Sequence, residues 1–157
     1  MDNFTERGGW WVVAQVVLGA LYVVALVSTT AVGQGVGLGL AQIVGVVTGA
    51  AGLAIGLWAI VLVGRHLTPY PAPTAKGPLI ESGPYRYVRH PMYTSVILLT
   101  VGIGLLTLRP WALLISLAFV VFFAAKVGRE EELLIERYPT YREYRSRVPY
   151  RLLPWVL

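Results

Sequence analysis

Two stretches of this chain, Trp10 to Val32 and Val36 to Gly64, contain no charged side chain. Crossing the hydrocarbon of a bilayer takes roughly 20 apolar residues, with a range of about 17 to 25. Without water, a spanning segment must satisfy its own backbone hydrogen bonds, as a helix does. Two further uncharged runs, Pro91 to Leu108 and Pro110 to Ala125, lie near the lower limit of that range. Arg109-Pro110 between them reads as a tight turn, which makes the pair a helical hairpin. The chain is 56% hydrophobic and 13% charged, whereas soluble domains carry about 25% charged residues. The expected fold is all-α: one integral membrane domain over 1–157, a bundle of four transmembrane helices near 10–32, 36–64, 91–108 and 110–127. Residues 65–90 form a polar, proline-bearing loop and 128–157 an interfacial helical tail.

A cleaved leader is not expected. Asp2 and Glu6 stand against one Arg ahead of the first run, and that run exceeds an h-region of about 7–15 residues. There is no Cys, so disulfides, thiol nucleophiles and Cys-based metal sites are excluded, and no metal is expected. Four spans place the N-terminus, the 65–90 loop and the tail on one side. Of 13 Lys and Arg residues, Arg109 alone falls on the other. The positive-inside rule then puts both termini in the cytoplasm, in the inner membrane if the host is bacterial. The net charge of +5 fits juxtamembrane basic residues facing anionic lipid, and nucleic acid is not an expected partner.

The second run carries Gly45, Gly49, Gly52 and Gly56, after Gly33, Gly35, Gly37 and Gly39. Small residues four apart let a neighbouring helix approach closely, within the chain or between copies of it. A homo-oligomer through this span is therefore open. Trp10, Trp11, Trp58, Trp111 and Trp155 mostly flank the runs and read as interfacial anchors; His66 at the end of the second run reads the same way.

Two polar clusters remain, and any chemistry must come from them. Gly83 to Tyr93 packs three Tyr, two Arg and a His into one short segment, bracketed by Gly83-Pro84 and His90-Pro91. Arg129-Glu130-Glu131-Glu132 follows the fourth run directly. Leu134, Tyr138, Tyr141, Tyr144 and Val148 then recur at three- to four-residue spacing. That spacing predicts an amphipathic or broken helix, lying on lipid or closing over the Tyr-rich loop.

Gly83-Pro84-Tyr85-x4-Arg89-His90-Pro91-Met92-Tyr93 resembles the G-x-Y…R-H-P-x-Y signature of isoprenylcysteine carboxyl methyltransferases and related phospholipid methyltransferases. Glu130-Glu131-x-x-Leu134, Tyr138, Tyr141-x-x-Tyr144, Arg147-Val148-Pro149 and Leu153-Pro154 resemble the family's tail. The two boxes, in order and separated by a hairpin, make the resemblance specific over about 79–154. It implies S-adenosylmethionine as methyl donor, held without a Rossmann fold by Leu79, Ile80, Tyr85, His90, Pro91, Met92, Tyr93, Glu130 and Glu131, with His90, Glu130 and Glu131 in the catalytic centre. It implies a lipophilic acceptor reached from the membrane, with Lys126 and Arg89 as its cationic contacts; Lys126 stands where prenylcysteine members carry an Arg linked to the substrate carboxylate. Such a carboxylate needs no base, whereas an amine acceptor loses a proton that Glu131 or Glu132 is placed to take through water.

Three other classes compete. A nicotinamide-dependent membrane lipid or sterol reductase shares a related helical architecture, but the paired Glu box favours the methyl donor. A proton-coupled four-span transporter needs an ionisable group inside the membrane, and the runs contain no Asp or Glu. A non-catalytic scaffold has a use for the glycines but none for both boxes.

Overall fold

The computed structural model describes residues 4–5, 7–32, 39–71 and 77–154. Asp2, Glu6, Gly33, Gly35, Gly37, Lys76, Trp155 and the start of the second run at 36–38 lie outside the described residues. Among those described there are five α-helices and no strand: α1 (Gly9–Ser28), α2 (Leu40–Val63), α3 (Pro91–Thr107), α4 (Pro110–Arg137) and α5 (Tyr141–Arg147). Short 3-10 turns cover Gly64–His66 and Gly83–Arg86.

Three segments, α1, α2 continued to His66, and α4, are long and apolar enough to cross a membrane, and α3 is a shorter apolar helix. At about 1.5 Å per residue, the 17 residues of α3 reach about 25 Å. The 28 residues of α4 reach about 42 Å, well beyond a hydrocarbon core of about 30 Å. The fourth run therefore does not stop near residue 127: one continuous helix carries Glu130 and Glu131 out past its apolar part. It ends at Arg137 because Pro139 bars helical backbone at the residue before it.

Each proline at a helix start, Pro91 and Pro110, occupies a position where its missing N–H costs nothing. Between the two helices Leu108 takes a left-handed conformation, φ 52°, and its carbonyl accepts from Val32 N at 3.0 Å. The end of α1 and the α3–α4 turn therefore lie at one end of the bundle.

The order of packing follows from the glycines. A Cβ built on Gly45 would lie 2.6 Å from Leu106 N and 2.7 Å from Gly102 O. One built on Gly102 would lie 2.5 Å from Gly49 N, and one on Gly56 2.8 Å from Ser95 Oγ. These contacts run α2 antiparallel to α3 with their backbones nearly touching, so the glycine face of α2 and the Gly102 stripe pack against each other. α4 returns along α3, α1 packs on α4, and Tyr22 OH donates to Thr100 O at 2.5 Å. α3 is the most enclosed helix, with Thr94, Ser95, Ile97 and Thr100 all buried. Outward faces are apolar: Val27 is 74% exposed, and Leu40 and Val61 are each 78% exposed. Faces of that kind are covered by lipid rather than water. This is an integral membrane protein.

Steric room makes a test. Gly102→Ala forces a Cβ against backbone that cannot yield, and costs about 1–3 kcal/mol, as overpacking does. Gly49→Ala meets nothing nearer than 3.8 Å and is expected to leave stability unchanged. Thermal unfolding of the two variants in the same detergent reads the difference.

Candidate active site

The loop carrying the first box is seated by Gly83. At φ +60° it takes a conformation that side chains avoid, and an added Cβ would lie 2.5 Å from Leu62 Cδ1 and 3.0 Å from the Trp58 indole. Glycine thus lets the loop rest directly on α2. The tail then closes over the box from the other side. Arg89 N donates to Tyr150 O at 3.0 Å and His90 N to Arg151 O at 3.0 Å. Thr94 Oγ1 donates to Leu152 O. Tyr144 OH donates to Tyr85 O at 2.7 Å and Tyr138 OH to Gly77 O at 2.6 Å. Tyr141, Tyr144 and Val148 are buried against Leu79, Leu134, Ile135 and Tyr138. The periodic apolar side of the tail therefore faces the Tyr-rich loop.

At the junction lies Glu131, 2% exposed. Its Oε1 accepts from Arg89 Nε at 2.6 Å and from Tyr141 OH at 3.4 Å. Arg89 Nη1 also donates to Val148 O at 2.6 Å. Arg151 Nε stands 3.3 Å from Glu131 Oε2. His90 is held between the two carboxylates, Nδ1 3.7 Å from Glu130 Oε1 and Nε2 3.5 Å from Glu131 Oε1. Tyr93 OH donates to Glu130 Oε2 at 2.5 Å, and its ring stacks on Phe123 with centroids 4.5 Å apart.

These elements enclose a cavity of about 380 Å³. Of the residues singled out from the sequence, Leu79, Ile80, Tyr85, His90, Met92, Tyr93 and Glu130 line it, as do Arg89 and Lys126. Pro91 and Glu131 stand behind the wall, both buried. Glu132 points outward to Arg129 at 2.9 Å on the exposed side of α4, away from the place where it was expected to serve an acceptor. The two cations are already engaged: Arg89 as above, and Lys126 by donating to Gln15 Oε1 at 2.7 Å and Pro69 O at 3.0 Å. The Lys126 ammonium also lies 5.1 Å from the Tyr93 ring centroid.

Three polar residues of the wall went unseen in the sequence. Gln15, the one amide in the first apolar run, and Thr68 and Tyr70 all line the cavity. His66, expected at the interface, lines it too. A lone amide in an apolar run was the only available signal. Gly102 packs on Gly49 and Gly104 on Leu113.

The electrostatics follow burial and charge. Burial pushes the Tyr85 hydroxyl up to about 12, and the Glu130 charge adds to it. Burial alone would lower the His90 imidazole, but the nearby carboxylates of Glu130, then Glu131, outweigh it, and its value is raised above the ordinary 6.5.

The fold and the site together define a membrane-embedded helical protein in which a loop box and a tail box share one cavity. Residues 40–141 match the phospholipid methyltransferase family, and the chain belongs to that family. It is 29% identical over 155 residues to the nickel-cobalt-cadmium resistance protein NccN of Alcaligenes xylosoxydans xylosoxydans, covering 95% of this chain and 66% of the relative. It is 34% identical over 92 residues to the mouse delta(14)-sterol reductase TM7SF2, covering 54% of this chain and 21% of that protein. The solved structure of the eukaryotic intramembrane Ras methyltransferase ICMT (isoprenylcysteine carboxyl methyltransferase) shares the fold, with a TM-score of 0.66 at 17% identity. That likeness covers 99% of this chain and 55% of ICMT. The chain thus spans less than two thirds of the length of the relatives it matches. Among the described residues, no three metal-ligating side chains are grouped as a metal site requires.

Two outcomes test this geometry. Glu131→Gln leaves the Arg89 charge buried without its counter-charge, which costs about 3–5 kcal/mol; the tail beyond Arg147 becomes sensitive to limited proteolysis. A raised imidazole stabilises the fold fully below its ordinary value of 6.5, and that contribution is lost as pH rises through the higher folded value. Thermal midpoints of the parent are therefore expected to fall between about pH 6.5 and the folded value, while His90→Gln shows no such decline.

Proposed function

We propose that this chain is an S-adenosylmethionine-dependent methyltransferase acting on a lipophilic acceptor at the cytoplasmic face of the membrane. It is read as a multi-pass protein of four spans with both termini in the cytoplasm, in the inner membrane if the host is bacterial. α3 is short, but it runs antiparallel to both α2 and α4, so it crosses what they cross. Because α3 fills the glycine face of α2, any homo-oligomer through that span uses its other face.

One observation carries the reading: Tyr85, Tyr93, His90 and Glu130, from two boxes far apart in sequence, face one cavity. The residues present fit the donor. A cavity of 380 Å³ falls within the range of about 300–1,000 Å³ usual for small-molecule sites. Tyrosine faces attract a cation by about 0.5–2 kcal/mol, and Glu130 supplies a carboxylate for ribose hydroxyls or an amino group. The donor provides a methyl group on cationic sulfur. Displacement at that carbon is in line, so alignment is the protein's main contribution. Tyr93, fixed by Phe123 behind and Glu130 at its hydroxyl, is preorganised for it. Glu131 acts as a positioning residue, holding His90 and Arg89 rather than touching ligand.

The sterol-reductase relative favours a second reading, reduction with a nicotinamide cofactor, and one experiment separates the two. Titration calorimetry of the purified protein is expected to show micromolar-range binding of S-adenosylmethionine and none of NADPH. His90→Ala and Glu130→Gln are each expected to weaken donor binding at least tenfold, about 1.4 kcal/mol. Binding of NADPH instead, or variants that bind the donor as well as the parent, would sink the methyltransferase reading.

A further inference from the structure

Resting on that reading, we propose that Gln15, His66 and Thr68 form the subsite for the acceptor's head group, that this group is protic (an amine or a hydroxyl on an apolar tail), and that His66 takes its proton. The cavity lining divides into two chemically unlike groups, and Tyr93 touches both: its hydroxyl donates to Glu130 and its ring centroid lies 5.1 Å from Lys126 Nζ. One group is His90 and Glu130 with the tail tyrosines; the other is Gln15 of α1, Lys126 of α4 and the segment from Val63 to Pro71, tied together where Lys126 donates to Gln15 and Pro69. Of the second group, only Lys126 and His66 drew notice in the sequence.

Its chemistry is that of neutral polar groups. A carboxylate acceptor would need a cation with donors to spare, and neither lining cation offers much. Arg89 is spent on Glu131 and Val148. Lys126, 1% exposed, has three hydrogens to donate and gives two of them to Gln15 Oε1 and Pro69 O. That ammonium ties α1 and the 67–71 segment to α4, and so builds the wall rather than awaiting an anion. What the wall keeps in hand is the Gln15 amide hydrogens, the Thr68 hydroxyl hydrogen (its oxygen accepts from Tyr70 N at 3.2 Å) and the His66 imidazole. Among the described residues no hydrogen bond or ion pair engages the His66 ring. An imidazole is the side chain most often used to remove a proton as a bond forms. Val63, Leu67 and Val96 line the same cavity, matching an apolar tail.

The step balances without another reactant. The acceptor's nitrogen or oxygen bonds to the methyl carbon of the sulfonium donor while the carbon–sulfur bond breaks, its electron pair going to sulfur. The acceptor's proton passes to the free imidazole nitrogen of His66 and from there to solvent.

The test uses the full-length protein in nanodiscs with methyl-labelled donor and three probes: dodecylamine, a dodecyl phenol and a farnesylated cysteine carboxylate. Label is expected in the amine or the phenol. His66→Gln is expected to lower that rate about 10²-fold, within the usual contribution of a general base, with the donor dissociation constant unchanged. Added imidazole is expected to restore rate to His66→Ala, which a merely structural role would not allow. In the ligand-free protein, the His66 ring resonance, distinguishable because the chain has only two His, is expected to shift on adding either protic amphiphile. Label only in the carboxylate, label in none of the three, or parental rate in His66→Gln would overturn the proposal. Loss of donor binding by the parent itself would instead bring down the methyltransferase reading on which it rests.

Discussion

The whole site hangs on one buried carboxylate. Removing Glu131 from water carries a cost of several kcal/mol that only good geometry and further hydrogen bonds offset. Both are present: Arg89 Nε donates to Oε1 at 2.6 Å and Tyr141 OH to the same oxygen at 3.4 Å, while Arg151 stands 3.3 Å from Oε2 as an ion pair without a hydrogen bond. Each partner comes from a different element. Arg89 comes from the loop before α3, Tyr141 from α5 and Arg151 from the chain end. Satisfying one charge therefore forces the loop, α4 and the tail into a single arrangement. His90 takes its place between Glu131 and Glu130 as a consequence, and Glu130 is left to face the cavity.

The bundle supplies the frame on which that charge cluster sits. Close backbone approach through Gly45, Gly102 and Gly52 locks α2 to α3, so the loop seated on α2 by Gly83 and the box at the head of α3 cannot drift apart. The length of α4 does the rest. Because it runs unbroken from Pro110 to Arg137, it delivers the acidic pair rigidly to the end of the bundle where α3 begins. Apolar surface left outward by α1 and α2 belongs to the lipid and takes no part in the site.

Much of this was legible in the sequence, and what was not has a physical reason. The spans announce themselves because uncharged runs have few alternatives, and the hairpin because Arg109-Pro110 interrupts one of them. The boxes were visible because their spacing is specific over few residues. Glu131 read as a ligand contact, whereas the fold turns it inward toward Arg89; adjacent residues on a helix point about 100° apart, and no local pattern says which of the two faces the cavity. Gln15 and Thr68 escaped notice, and His66 was assigned to the interface, for another reason. A wall assembled from α1, the 67–71 segment and Lys126 is a contact between positions more than fifty residues apart, with no periodicity to betray it. Lys126 itself was read from its place in the family pattern and its charge. Its charge is already engaged by an amide and a carbonyl that only the folded chain brings near.

The account stands or falls on the two boxes forming one donor site. The most direct measurement is an experimental structure of the protein with S-adenosylhomocysteine. The ligand is expected in the cavity with its sulfur beside the Tyr93 ring, touching His90 and Glu130 at once, with Glu131 still paired to Arg89 and out of contact. Ligand bound elsewhere, bound against one box alone, or in direct contact with Glu131 would contradict the account.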